Sequence, residues 1–335
     1  MIIRTRAYPR AALIGNPSDG YFGKTIAFVF SNFHANVALF ESPELAIIPQ
    51  KRDSSEYEDL DELYDDVKLH GYYGGIRLLK ATIKKFVEHC RNNRIVLDRR
   101  NFTIRYETTI PHRVGLAGSS AIITAAIRAL MAFYDIKIPK PLLANTILSV
   151  EVEELGISAG LQDRVAQVYE TPVFMDFDRT NFQRTGFGKY ETLDPTLLPN
   201  LYIAYRTDFS EGSEVLHNDL RKRFNNGDQN VLAAMRRFAE LTECFYEAMR
   251  KRDFQTLSRC MDENFDLRTQ ISEVGTDNID MVKLARSIGL CAKFTGSGGA
   301  IIGTYQSKEE LDELIERMEK TGKYKVIIPQ IVSGL

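Results

Sequence analysis

Tryptophan is absent from these 335 residues, and cysteine occurs only four times. No run of about 18 apolar residues appears either, which excludes a transmembrane helix. The first fifteen residues, interrupted by Arg4, Arg6 and Arg10, lack the apolar core of a secretory leader. Cys90, Cys244, Cys260 and Cys291 are scattered, with no CxxC pair and no neighbouring histidine. Free thiols in a reducing cytoplasm are therefore expected, not disulfides or a zinc site. A surplus of either charge is also missing: 43 Lys and Arg face 45 Asp and Glu, a net charge of −2. Such a chain exerts no long-range pull on nucleic acid or an anionic membrane, so neither is expected as a partner. Any anion it binds must be held locally. The missing tryptophan excludes nothing, and composition leaves the oligomeric state open.

What the sequence does contain is a glycine- and serine-rich turn opening onto a helical stretch. Residues Gly115-Leu116-Ala117-Gly118-Ser119-Ser120-Ala121 run directly into Ile122-Ile123-Thr124-Ala125-Ala126-Ile127. A helix N-terminus presents unpaired N–H groups and the positive end of the helix dipole, which suits a phosphate. Glycine lets the backbone approach the anion, and the serine hydroxyls can bind phosphate oxygens or magnesium. No Walker-type lysine follows, so this is not a P-loop. The alternative for the turn taken alone is a helix cap that binds no ligand, and phosphate binding is favoured over it.

At this length two joined α+β domains are expected, 1–190 binding nucleotide phosphate and 191–335 forming a C-terminal domain. Residues 24–40 alternate as strands do, and 101–106 read as a strand. The acidic stretch 53–66 is expected to be a solvated loop or helix start. Ile76, Leu79, Ile83, Phe86, Val87 and Cys90 recur at helical spacing. A helix is expected over 142–155, ending near Gly156. Residues 177–200, rich in Asp, Thr, Gly and Pro, are expected to be a passage between domains. Helices follow over 229–250, 254–271 and 278–288, and Ser307-Lys308-Glu309-Glu310 is a capping box. Residues 324–328 make a closing strand.

Two further segments give the turn its context. Arg10-Ala11-Ala12-Leu13-Ile14-Gly15-Asn16-Pro17-Ser18-Asp19 leads from a short strand into a polar turn. Lys293-Phe294-Thr295-Gly296-Ser297-Gly298-Gly299-Ala300 is strand, glycine turn, strand. In this order and spacing the three segments resemble the three motifs of the GHMP kinase superfamily, from Arg6 to about Ala300. The segments Gly71-Tyr72-Tyr73-Gly74-Gly75 and Gly160-Leu161-Gln162-Asp163-Arg164, with a second motif one residue longer than Gly-Leu-Gly-Ser-Ser, are similar to the glucuronate-phosphorylating branch. The resemblance implies a ribosomal S5-like N-terminal domain, a ferredoxin-like C-terminal domain, and ATP and Mg2+ as cofactors. Its implied substrate is a small sugar acid, phosphorylated on the anomeric hydroxyl.

The resemblance also implies roles for residues. Asp163 is the general base, and Arg10 steadies charge on the acceptor and the moving phosphoryl group. Residues 115–121 hold the triphosphate. Glu151, twelve residues before Asp163, and Ser120 hold the metal, with Ser119 an alternative to Ser120 and Glu153 and Glu154 competing with Glu151. Asn16, Ser18, Asp19, Tyr72, Gly296, Ser297 and Gly298 line the substrate. A carboxylate-bearing substrate needs a cation, for which Arg113, Arg164 and Arg206 stand open. The alternatives are a neutral-sugar 1-kinase, a mevalonate-type kinase and a non-catalytic sugar and ATP sensor.

Overall fold

The computed structural model describes residues 1–50, 53, 59–60, 74–207 and 214–334, with 214–218 described in backbone only. In chain order the described strands are β1 (Ile2–Ala7), β2 (Arg10–Ile14), β3 (Lys24–Val29), β4 (Ala35–Glu41), β5 (Ala46–Ile48) and β6 (Phe102–Thr108), then β7 (Val173–Asp176), β8 (Lys189–Thr192), β9 (Leu201–Arg206), β10 (Lys293–Phe294), β11 (Ala300–Thr304) and β12 (Tyr324–Ile327). The helices are α1 (Gly75–Asn92), α2 (Gly118–Phe133), α3 (Lys140–Ser149), α4 (Gln162–Tyr169) and α5 (Arg179–Thr185), then α6 (Glu214–Asn225), α7 (Gln229–Lys251), α8 (Phe254–Ile271), α9 (Thr276–Arg286) and α10 (Lys308–Glu319).

The chain divides into two compact units. The first holds Met1–Pro9, Phe33–Ile110 and Gly118–Ala159. Its four-stranded sheet has the order β1-β4-β6-β5. Helix α2 lies on β1 and β4, where Thr5 Oγ1 donates to the Ala125 carbonyl at 2.7 Å. Alanines at 125, 126 and 129 permit that close approach, and all three are fully buried. Of the acidic stretch 53–66, residues 54–58 and 61–66 lie outside the described residues, and Asp53 stands at a helix start. It accepts from the Gly75 N–H at 2.7 Å and the Tyr106 hydroxyl at 3.1 Å, and so starts α1.

The second unit holds Arg10–Asn32, Pro111–Ala117 and Gly160–Leu335. One sheet is β2-β3-β7-β8, and β2 and β3 are apolar and almost wholly buried, as strands covered on both faces must be. The other sheet runs β10-β11-β9-β12. Helices α8 and α9 precede β10 and α10 precedes β12, giving the split β-α-β-β-α-β pattern expected of a ferredoxin-like domain. The capping box is present: Ser307 Oγ accepts from the Glu310 N–H at 3.2 Å. Residues 177–200 are not a bare passage. They carry α5 and β8, and β8 pairs antiparallel with β7. Residue 190 lies inside this unit, in which β3 pairs with β7 far along the chain.

Candidate functional site

In the second unit the three glycine-bearing segments meet around β2. The Arg10 N–H donates to the Leu116 carbonyl at 3.1 Å, and the Ala12 N–H donates to Thr295 O at 2.8 Å. Asn16 Nδ2 reaches the carbonyls of Phe294 and Gly296, each at 3.4 Å. Gly115 sits at φ +67°, and a Cβ there would lie 2.6 Å from Gly298 O, so only glycine brings the two turns together. Ala117 holds a left-handed φ of +60° in the same loop, and its carbonyl accepts from Gln167 Nε2 at 3.0 Å. A non-glycine residue in that region stores strain, a feature that clusters at ligand-binding turns.

Arg10 is the hub. Its side chain is 4% exposed, and Nη2 lies 2.6 Å from Asp163 Oδ1. Nη1 donates to the carbonyls of Thr295 and Gly115. Asp163 stands in the first turn of α4, with Arg164 Nη1 3.3 Å from its other oxygen. Burial pushes the Asp163 carboxyl up. The charges of Arg10 and Arg164, with hydrogen bonds from Arg10 and Gln162, more than reverse this and hold it below the usual aspartate value. Asp19, in the short 3-10 turn Ser18–Tyr21, accepts from the Gln162 N–H at 3.2 Å. Burial first, and then the charge of Asp163, raise its pKa to about 6. One carboxylate is thus firmly ionised while its neighbour titrates near neutrality. The pair can orient a hydroxyl and take its proton beside a cation able to stabilise a moving phosphoryl group.

The first unit carries the nucleotide and metal candidates. Helix α2 begins at Gly118, so Gly118, Ser119, Ser120 and Ala121 form its first turn, where no preceding helical carbonyls exist. Ser120 is 1% exposed, while Ser119 is half-buried. The expected helix 142–155 stops at Ser149 and widens into a π-helical turn over Val150–Glu154. In that turn Glu153 pairs with Lys85 at 2.8 Å and Glu154 with Lys84 at 2.6 Å. Glu151 instead turns inward and is 3% exposed. A hydroxyl and a carboxylate are hard oxygen donors of the kind magnesium takes when phosphates supply its other ligands.

Other expected residues fall differently. Ser18 is fully buried and its hydroxyl donates to Lys24 O at 3.0 Å, so it holds the turn and does not present itself to a substrate. Leu116 contributes its backbone alone, since its side chain is buried. Gly296 and Ser297 are half-buried, and Gly298 is buried beside Asn278, whose Oδ1 accepts from the Gly299 N–H at 2.8 Å. Tyr72 lies outside the described residues. Of the arginines open for a carboxylate, Arg206 is paired with Asp277 at 2.9 Å, and Arg164 holds Asp163 and the Gly160 carbonyl. Sequence reasoning missed Lys293, Asn264 and Arg268. Lys293 is fully buried, with Nζ donating to Ala12 O at 2.8 Å and Phe294 O at 2.7 Å. Asn264 accepts from the Gly15 N–H at 2.8 Å and donates to Asn16 O at 3.1 Å. The signal was available: Asn264 and Arg268 occupy positions of the apolar stripe of α8.

Residues 77–171 match the family described as GHMP kinases N terminal domain, and 245–323 match GHMP kinases C terminal. These matches lie on either side of residue 190. The chain is 42% identical to probable glucuronokinase 2 of Arabidopsis thaliana, over 90% of this chain and 84% of that protein. Glucuronokinase 1 of Arabidopsis thaliana is 41% identical, with the same coverage of 90% and 84%. The crystal structure of Lactococcus lactis galactokinase complexed with galactose superimposes with a TM-score of 0.78 at 15% identity, covering 99% of this chain and 94% of that one, which is likeness of fold.

Proposed function

Because the chain belongs to the GHMP kinase family, we propose that it transfers the γ-phosphoryl group of ATP to the anomeric hydroxyl of a sugar acid, D-glucuronate, giving glucuronate 1-phosphate. The observation that carries this reading is Arg10, which joins the first motif to the second and third and ion-pairs with Asp163. The names of the two plant relatives support the sugar acid.

Asp163, kept ionised, orients the acceptor hydroxyl and takes its proton late. A base held below its usual pKa is weak, but a loose phosphoryl-transfer transition state asks for positioning and charge stabilisation before proton abstraction. Arg10 offers its cation to the transferring group, and Asp19 and Asn16 offer acceptors to the sugar hydroxyls. The amides and hydroxyls of 115–121 hold the triphosphate. Ser120 and Glu151 are the residues that would hold magnesium, which when bound neutralises phosphate charge. Residues 1–190 are assigned to nucleotide phosphate binding, 191–335 to the C-terminal family domain, and the enzyme to the cytosol. No helix among the described residues is long and apolar enough to cross a membrane.

A coupled ADP-release assay over glucuronate, galacturonate, galactose, arabinose and mevalonate tests the reading. Glucuronate is expected to turn over, and Asp163→Asn to lower kcat by about 10²–10⁴-fold with ATP affinity retained. Turnover of a neutral sugar or mevalonate with none of glucuronate would overturn the sugar-acid assignment.

A further inference from the structure

We infer that Arg268 is the cation that receives the substrate's carboxylate, an inference that rests on the sugar-acid reading above. Helix α8 turns its buried face toward the first-motif loop, and Asn264 grips Gly15 and Asn16 there. Arg268 stands one helical turn further along the same face, four residues on. Leu267 and Ile271, on either side of it in α8, pack in one apolar cluster with Tyr21 of that loop, and the charge of Arg268 acts on both Tyr21 and Asp19.

Arg268 is 6% exposed, yet among the described residues no ion pair or side-chain hydrogen bond engages it, and its buried Nε has no acceptor. A buried cation left uncompensated is costly to a fold, and proteins ordinarily pair it. Neighbouring arginines are already engaged. Arg10 holds Asp163, Arg164 holds Asp163 and Gly160 O, and Arg206 holds Asp277. Arg221 lies over the Tyr21 ring at 4.4 Å and donates to Gly20 O at 2.6 Å. Asp19, with a pKa of about 6, is mostly ionised at neutral pH, but among the described residues no ion pair joins it to Arg268, and Asp19 and Asp163 together face Arg10, Arg164, Arg221 and Arg268.

The local balance is therefore positive, and Lys293 registers it. The charges of Arg10 and Arg268 add to burial in pushing that lysine far down. A planar guanidinium whose buried Nε is unfilled, within the field of the carboxylate assigned to sugar hydroxyls, suits a ligand carboxylate. Asn16 adds a buried Oδ1 without a partner, a neutral acceptor for a hydroxyl beside that carboxylate.

The experiment measures steady-state kinetics and calorimetric binding of glucuronate and of its neutral C6 amide, on wild type, Arg268→Gln and Arg268→Lys. Arg268→Gln is expected to raise KM for glucuronate about 100-fold, with kcat and ATP affinity near wild type and the amide analogue hardly affected. Arg268→Lys, which keeps the charge and loses the fork, is expected to fall between. Equal losses on acid and amide, or an unchanged KM for glucuronate, would overturn the assignment. So would failure of both variants to fold, which would make Arg268 a structural cation. If wild-type protein turns over no uronate at all, the parent reading fails, an outcome distinguishable from these.

Discussion

Asp19 and Asp163 carry the same side chain into opposite electrostatic conditions. Asp163 lies between Arg10 and Arg164 and stays ionised, whereas Asp19 meets burial and the charge of Asp163 and is raised to about 6. A folded pKa above the unfolded value of 3.8 means that the native state binds the proton more tightly. The stability this contributes is fully present below 3.8 and is lost as pH rises through about 6. Above that pH the buried charge costs the fold ~3 kcal/mol, by the equivalence of pKa units and free energy. Asp19→Asn should therefore raise the melting temperature at pH 8, with the gain gone near pH 4. The same substitution should lower kcat/KM for the acceptor by about 10–100-fold, since it removes a charged hydrogen-bond acceptor. In wild type, kcat/KM should rise with pH through about 6, an inflection absent from the variant. Melting curves with no pH-dependent gain would show that Asp19 is not buried at such a cost.

At the scale of elements, periodicity and caps were easily legible. The spans expected at 229–250 and 254–271 are α7 and α8 within a residue, each opened by an aspartate side chain, Asp228 and Asp253, that accepts first-turn N–H groups. The π-helical turn at Val150–Glu154 was not legible, because its residues have the same composition as a continuing α-helix. Nor was the turn before α4. Gly160 reads as a plain loop glycine, yet a Cβ there would lie 2.0 Å from Asp19 Oδ2 and 2.9 Å from its Cγ. The loop must pass this close so that the Gln162 N–H can reach Asp19 at 3.2 Å. Gly160→Ala should displace Asp19 and raise KM for the acceptor, with nucleotide affinity and overall fold retained. Initial-rate kinetics with each substrate varied in turn check this, and an unchanged acceptor KM would separate the loop from the substrate.

At the scale of the whole molecule, the family and its motif residues could be read from three short segments, because phosphate turns need glycine at fixed spacings. The discontinuous units could not, since pairings such as β3 with β7 and β4 with β6 are long-range and composition reports only neighbours. Buried polar residues were also invisible, because a lysine or arginine in a sequence looks exposed until its surroundings are known. Lys293 is the extreme instance, fully buried and bridging Ala12 O and Phe294 O at the junction of two sheets. Burial first, then Arg10 and Arg268, depress its pKa well below 10.5. The unfolded chain therefore binds more protons than the native one between the depressed value and 10.5. Across that window stability rises with pH, and Lys293 becomes steadily costlier as pH falls toward neutrality. Lys293→Met cannot take up a proton, so its stability relative to wild type should improve from pH 10 to pH 7, by up to ~1.4 kcal/mol for each pH unit within the window. Lost hydrogen bonds to the two carbonyls shift both ends of the comparison equally, so the pH dependence isolates the charge. Paired denaturant titrations at pH 7 and pH 10 make the measurement, and a pH-independent difference would mean that Lys293 keeps its proton in the native state.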